Sequence, residues 1–141
     1  MTTMTAAAQR EQQKHVYNAM FAACPTRQLL DMLSDKWVCL IFAALVAGRR
    51  RHSALGREIA GVSQKMLTQT LRRLERNGMV QRSVTASVPV RVDYELTPLG
   101  HDLAPLMTAL KDWAETHMED VVAARNDYDN AGERARSQRT P

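Results

Sequence analysis

Apolar residues recur along this chain at two periods, and the change from one to the other outlines its elements. Leu67, Leu71 and Leu74 stand at helical spacing within residues 63 to 78, while Lys65, Gln69, Arg72 and Arg76 gather about half a turn away and face outward. Ser63 can cap this helix by accepting from an orphan backbone N–H, and Gly78 can end it in a left-handed conformation. From Met79 the period drops to two. Val80, Arg82 and Val84 read as one short strand; Val92, Tyr94 and Leu96, alternating with Arg91, Asp93 and Glu95, read as a second. The linker from Thr85 to Val90 contains Pro89 and suits an extended hairpin loop.

Upstream, residues 9 to 22 can form a helix whose weak apolar side is Val16 and Met20 with Ala19 and Ala23. Cys24-Pro25 resets the chain, and proline at a first helical position predicts a helix from Pro25 to about Ser34 with Leu29, Leu30 and Leu33 inward. The run from Trp37 to Val46 is apolar on almost every side, as a central buried helix should be. Gly48 and Arg49-Arg50-Arg51 end it, Ser53 is a candidate cap for the next helix, and Leu55 and Ile59 face the core. Gly61 supplies a turn. Helix 53–60, turn 61–62 and helix 63–77, followed by the hairpin, make a helix-turn-helix with a wing. The triple arginine is either a phosphate clamp or a solvated helix end facing carbonyl groups.

Thr97-Pro98 opens the last long helix as cap and first-turn proline. Leu99, Leu103, Leu106, Leu110, Trp113, His117 and Val121 follow at steps of three or four, broadened by Met107, Ala114 and Met118, and Pro105 is expected to kink the helix. So much apolar surface at both ends predicts pairing of two chains; packing of the two terminal helices within one chain is the alternative. The expected fold class is mainly α with a small β-hairpin wing, a winged helix-turn-helix whose terminal helices form a dimer interface. One domain spans residues 9–125, between a flexible 1–8 and a flexible polar tail at 126–141.

With 141 residues and 45% hydrophobic content, the chain is long enough for one domain and too short for two ordinary ones. A net charge of +4 favours a polyanionic partner, and its distribution says more than its size. Arg49, Arg50, Arg51, Arg57, Lys65, Arg72, Arg73, Arg76, Arg82 and Arg91 concentrate positive charge in the centre, whereas Asp102 to Asp129 is rich in acids. No apolar run reaches a membrane span and no signal-peptide core is present, so the expectation is a cytoplasmic protein with no membrane partner. Cys24 and Cys39 are too few for a disulfide scaffold, and His15, His52, His101 and His117 are too dispersed for a metal cluster. Without a phosphate-cradling glycine loop or a nucleophile with its base, neither an enzyme nor a cofactor is expected.

Helix-turn-helix docking sets the amino-terminal part of the second helix against base edges. Gln64, Lys65, Thr68, Gln69 and Arg72 are therefore the candidate groove contacts, with Arg82, Arg91 and Arg76 as phosphate contacts. Gln can address adenine N6/N7 and Arg or Lys guanine O6/N7, whereas phosphate contacts orient without reading sequence. The bland alternatives are a solvated basic face, Arg73 and Arg76 paired with Glu75 or other acids, and Thr68 directed along its helix. Two further functions stay open: a winged helix whose basic face meets an acidic protein, and a small-molecule-responsive regulator. The latter would need Trp37, Trp113, Met107 and Tyr94 to line a pocket, where core packing is the competing role.

The ordered elements are Cys-Pro at 24 to 25, Asp35-Lys36-Trp37, Val62-Ser63-Gln64-Lys65-Met66-Leu67-Thr68, Leu71-Arg72-Arg73-Leu74-Glu75-Arg76-Asn77-Gly78, Val88-Pro89-Val90-Arg91-Val92-Asp93-Tyr94-Glu95-Leu96-Thr97 and Leu99-Gly100. In this order, over about residues 24 to 115, the chain resembles the HxlR family of transcriptional regulators, close in architecture to MarR-type regulators. The resemblance implies a winged-helix homodimer that binds double-stranded operator DNA, most often as a repressor. It also matches Cys24 to the cysteine that redox- and electrophile-responsive members use as a sensor, so an oxidant, electrophile or small molecule is the effector class implied. A thiol just before a helix feels that helix's positive end, which favours thiolate; an ordinary small residue kept inert by burial is the alternative. Cys39, within the apolar helix, reads as core. The family's glycine-rich approach to Lys-Trp is Ser34-Asp35 here, a departure expected to alter a local turn without touching the groove face.

Overall fold

Side-chain caps at Ser63 and Thr97 set the starts of two helices, and the turn at Gly78 leads from the first of them into the sheet. The structure is a computed structural model describing residues 3–139. Its elements are α1 (Ala6–Ala22), α2 (Pro25–Leu33), α3 (Val38–Val46), β1 (Arg50–Arg51), α4 (His52–Glu58), α5 (Gln64–Arg76), β2 (Val80–Thr85), β3 (Arg91–Leu96) and α6 (Pro98–Ser137). Ser63 Oγ accepts from Met66 N–H at 3.1 Å at the start of α5, and Thr97 Oγ1 accepts from Gly100 N–H at 3.1 Å at the start of α6. Gly78 ends α5 at φ +76°, and Gly61 turns the chain between α4 and α5 at φ +82°.

The core is built on α3. Val38, Ile41, Phe42 and Leu45 from that helix meet Leu55, Ile59, Leu67, Leu71 and Leu74 from the helix-turn-helix, with Val80, Tyr94 and Leu96 from the sheet closing one side. Each such side chain contributes on the order of 1.5–3 kcal/mol by leaving water. The apolar stripe of α5 is thereby used up, and its basic face is left outside.

Several expectations are corrected. Arg50 and Arg51 are not a helix end: they form a third strand, antiparallel to β3 in the register Arg50–Tyr94 and Arg51–Asp93, giving the sheet order β1-β3-β2. The signal is too short to read by period, because a two-residue strand exists only through its partner. Ser53 does not cap α4, which starts one residue earlier with Arg51 at the cap position. Leu30 points outward and is exposed, while Leu33 packs against the core edge.

The terminal helices also differ from the reading. Helix α1 starts at Ala6, within the segment expected to be flexible. Helix α6 runs through Pro105 as one helical segment and continues to Ser137, where a structureless tail was expected from residue 126. Its buried residues are Gly100, which lies against the Met79 backbone, and Ala104 and Met107, and the helix packs chiefly on α3. The stripe of Leu99, Leu106, Leu110 and Trp113 lies about a third of a turn away and is half exposed. Helix α1 has no buried residue and its main tertiary contact is with α2, so the two terminal helices do not cover each other's stripes.

Candidate nucleic-acid interface

The leucine stripe of α5 is fully buried, which forces the opposite side of the helix to the surface. Lys65, Gln69, Arg72 and Arg76 are exposed there, and Gln64 is exposed in the first turn, beside the wing. Among the described residues, Gln64, Lys65, Gln69 and Arg76 make no side-chain hydrogen bond or ion pair, so their donors and acceptors are available to a ligand. Unspent hydrogen-bonding capacity on one helix face is the chemistry that base edges require.

Thr68 is placed differently from those five. It is half-buried, and its Oγ1 lies 3.0 Å from His52 Nε2 in a hydrogen bond to the start of α4. The His52 ring sits 6.2 Å from the Tyr94 ring. Tyr94 is 4% exposed, and burial pushes its hydroxyl above the usual range; the nearby Arg82 and Arg72 pull the other way, and Glu75 adds to the rise. Arg72 thus extends from α5 over the same cleft that Arg82 reaches from β2.

The two wing arginines occupy opposite faces of the hairpin. Arg82 lies opposite Tyr94 in the ladder and shares its helix-facing side, whereas Arg91 lies opposite Thr85 on the outer side with Asp93. Arg91 Nε donates to Asp93 Oδ2 at 2.9 Å, and the Asp93 side chain is 3% exposed. Between the wing and the start of α5 runs a cleft bordered by Arg51, Gln64, Val90 and Arg91. The wing tip from Val84 to Val90 carries no charge.

Behind α5, Asp35 makes contacts that no sequence period announces. Its Oδ1 accepts from Trp37 N–H at 2.8 Å, and its Oδ2 accepts from Thr70 Oγ1 at 2.8 Å and Arg73 Nη2 at 2.6 Å. The departure at Ser34-Asp35 therefore does more than alter a turn: it reaches the recognition-type helix, although not its outward face. Arg73 is occupied by this carboxylate and not by Glu75.

Cys24 occupies the cap position of α2 and is half-buried. No side-chain capping bond forms, yet the N–H groups of Arg27 and Thr26 lie close enough to lower the thiol's pKa, outweighing a small opposing effect of burial. Cys39 behaves as core: burial pushes its thiol up, and Sγ donates to the Met107 carbonyl at 3.4 Å. The four side chains that an effector pocket would need separate into different surroundings. Met107 and Tyr94 are core, Trp37 packs at the core edge, and Trp113 is half exposed, stacked on His117 at 4.7 Å. No group of His, Cys, Asp and Glu among the described residues could hold a metal ion.

A helix-turn-helix with this exposed face and adjoining wing matches one family. The HxlR-like helix-turn-helix family model covers residues 32–122. The chain belongs to the HxlR-like helix-turn-helix family. It is 41% identical over 110 residues to the HTH-type transcriptional regulator YtfH of Escherichia coli, covering 78% of this chain and 87% of that one. Among solved structures it resembles the transcriptional regulator YtfH from Salmonella typhimurium, with TM-score 0.68, 42% identity, and coverage of 73% of this chain and 92% of that chain. It also resembles the redox regulator HypR in its reduced form, with TM-score 0.66, 33% identity, and coverage of 71% and 99%. The chain is accordingly a transcriptional regulator of the helix-turn-helix type, and DNA is its partner. Among the described residues no helix is long and apolar enough to cross a membrane.

Proposed function

We propose that this HxlR-family protein is a homodimeric, sequence-specific repressor whose occupancy of operator DNA responds to oxidants or electrophiles through Cys24. The observation that carries the DNA reading is the outward face of α5, where Lys65, Gln69 and Arg76 have no side-chain partner among the described residues. Lys65, Gln64, Gln69 and Arg72 address base edges, while Arg76, Arg82 and Arg91 neutralise phosphates. Thr68 reaches the groove only at the edge of that face, because its hydroxyl is shared with His52.

Support for the dimer comes from the half-exposed stripe of Leu99, Leu106, Leu110 and Trp113, together with exposed Tyr17, Met20, Phe21 and Leu30 at the other end of the chain. Two recognition helices would then read two related half-sites about one helical turn, or a multiple, apart. The thiol reading rests on the lowered pKa of Cys24 at a helix start beside this apolar surface, and on the similarity to HypR. Modification of the thiol, or a disulfide joining two copies, acts only by changing the relative stability of DNA-competent and incompetent dimers.

Fluorescence anisotropy with the DNA upstream of the protein's own gene tests this reading, under reducing conditions and after mild thiol oxidation. Specific binding that changes on oxidation is expected. Binding indifferent to oxidation, in wild type and Cys24→Ser alike, would remove the thiol switch and leave the regulator.

A further inference from the structure

Two polar contacts grip the recognition helix α5 from opposite sides. On a helical wheel, Lys65, Gln69, Arg72 and Arg76 share one sector; Thr68 lies about 70° to one side of it and Arg73 about 70° to the other. Thr68 is hydrogen-bonded to His52, at the start of α4. Arg73, with Thr70 beyond it, is bonded to Asp35, in the turn that leads into α3. The same Asp35 carboxylate is fixed from behind by the Trp37 N–H, and its side chain is 11% exposed. Thr70 is fully buried and spends its hydroxyl on this bond.

We propose that Asp35 and His52 are positioning residues that fix the rotation of α5 about its own axis, and thereby decide which bases its outward side chains read. The inference rests on the DNA reading given above and deepens it. The leucine stripe holds α5 against the core, but apolar burial has no direction: a modest rotation keeps Leu67, Leu71 and Leu74 buried at little cost. Hydrogen bonds are directional, and those to a largely buried carboxylate are strong. Because the groove-reading side chains are long, a small rotation at the helix axis is amplified at their tips, beyond the tolerance of bidentate base contacts. Neither Asp35 nor His52 belongs to the outward face itself, so loss of either should change what is read before it changes how strongly phosphates are held.

The test starts from a random-sequence duplex library enriched on the wild-type protein, followed by titration of the enriched duplex and a scrambled one. Asp35→Asn, which keeps one acceptor, puts an NH2 donor in place of the other and removes the charge facing Arg73, is expected to lower the ratio of enriched to scrambled affinity about tenfold, the size of one mismatched base pair. His52→Phe, which keeps a ring beside Tyr94 and removes the bond to Thr68, should lower the same ratio. Each variant, re-enriched on the library, should select altered bases within the half-site. Should Asp35→Asn fail to fold, Arg73→Ala carries the same test from the exposed side of the clamp. An unchanged ratio, or a loss shared equally by both duplexes in step with a lower melting temperature, would overturn the proposal. A wild type that enriches no sequence would instead overturn the DNA reading and the specificity role with it.

Discussion

Arg91 on the outer face of the wing donates to Asp93 at 2.9 Å, and the carboxylate it reaches is 3% exposed while the arginine is nearly half exposed. The pair is lopsided. One Asp93 oxygen has no hydrogen-bond partner, so Arg91 is the ligand that keeps this buried charge tolerable. Arg91→Ala is therefore expected to cost about 1–3 kcal/mol of folding stability as well as DNA affinity, whereas a pure phosphate contact would cost affinity alone. Urea denaturation of Arg91→Ala beside Arg76→Ala checks this, because Arg76 has no side-chain partner among the described residues and its loss should leave stability within about 0.5 kcal/mol.

Gln69→Ala and Lys65→Ala separate affinity from fold in the other direction. Both side chains are exposed and unbonded, so the melting temperature should hold while binding to the specific duplex weakens by about 1–3 kcal/mol per lost base contact. Arg82→Ala should weaken specific and scrambled duplexes together and reduce the slope of log K against log salt by about one. A base-specific effect of Arg82, read by competition with single-site variants of the duplex, would move it from the backbone to the groove.

Gly100 packs the first turn of α6 against the Met79 carbonyl so closely that a Cβ there would collide with backbone. Gly100→Ala is expected to destabilise by about 1–3 kcal/mol, since neither the carbonyl nor the helix start can yield cheaply. Gly78→Ala should cost about 1 kcal/mol for another reason, its φ of +76°, since a Cβ there would meet only Leu99, at an ordinary contact distance of 3.8 Å. Thermal denaturation of the two variants ranks them, and an equal or smaller loss at Gly100 would contradict the packing argument.

Leu110→Glu and Trp113→Glu place charge in the exposed stripe of α6 without entering the core of the single chain. The expected outcome is a wild type that sediments as a dimer and variants that sediment as folded monomers. Wild-type protein that is monomeric at micromolar concentration would remove the dimer from the proposal.

The two thiols should separate by pH. Backbone N–H groups of Arg27 and Thr26 lower the pKa of Cys24, and burial raises that of Cys39. A lowered pKa means more thiolate at a given pH, so Cys24 should be alkylated faster at neutral pH and reach its plateau rate at a lower pH than Cys39. Iodoacetamide kinetics on Cys24→Ser and Cys39→Ser variants from neutral to alkaline pH measure this directly. Equal profiles would leave Cys24 without the reactivity that sensing requires.

Local chemistry made most of the architecture legible in the chain itself. Ser63, Gly78, Gly61 and the Thr97-Pro98 pair act within a few residues of themselves, so their caps and turns lie where the sequence puts them, and the period-two runs from Val80 and Val92 became β2 and β3. The outward face of α5 was equally readable, because burying one stripe of a helix leaves its opposite side no other place to go. Tertiary structure alone decided the rest. The strand at Arg50–Arg51 exists only by pairing with β3, and Arg82 and Arg91 parted to opposite faces through the register of that sheet. Asp35 lies 38 residues before Arg73, and His52 lies 16 before Thr68; no period links such partners. Side-chain hydrogen bonds between distant segments depend on where the core brings two backbones together, and that is a property of the packed whole.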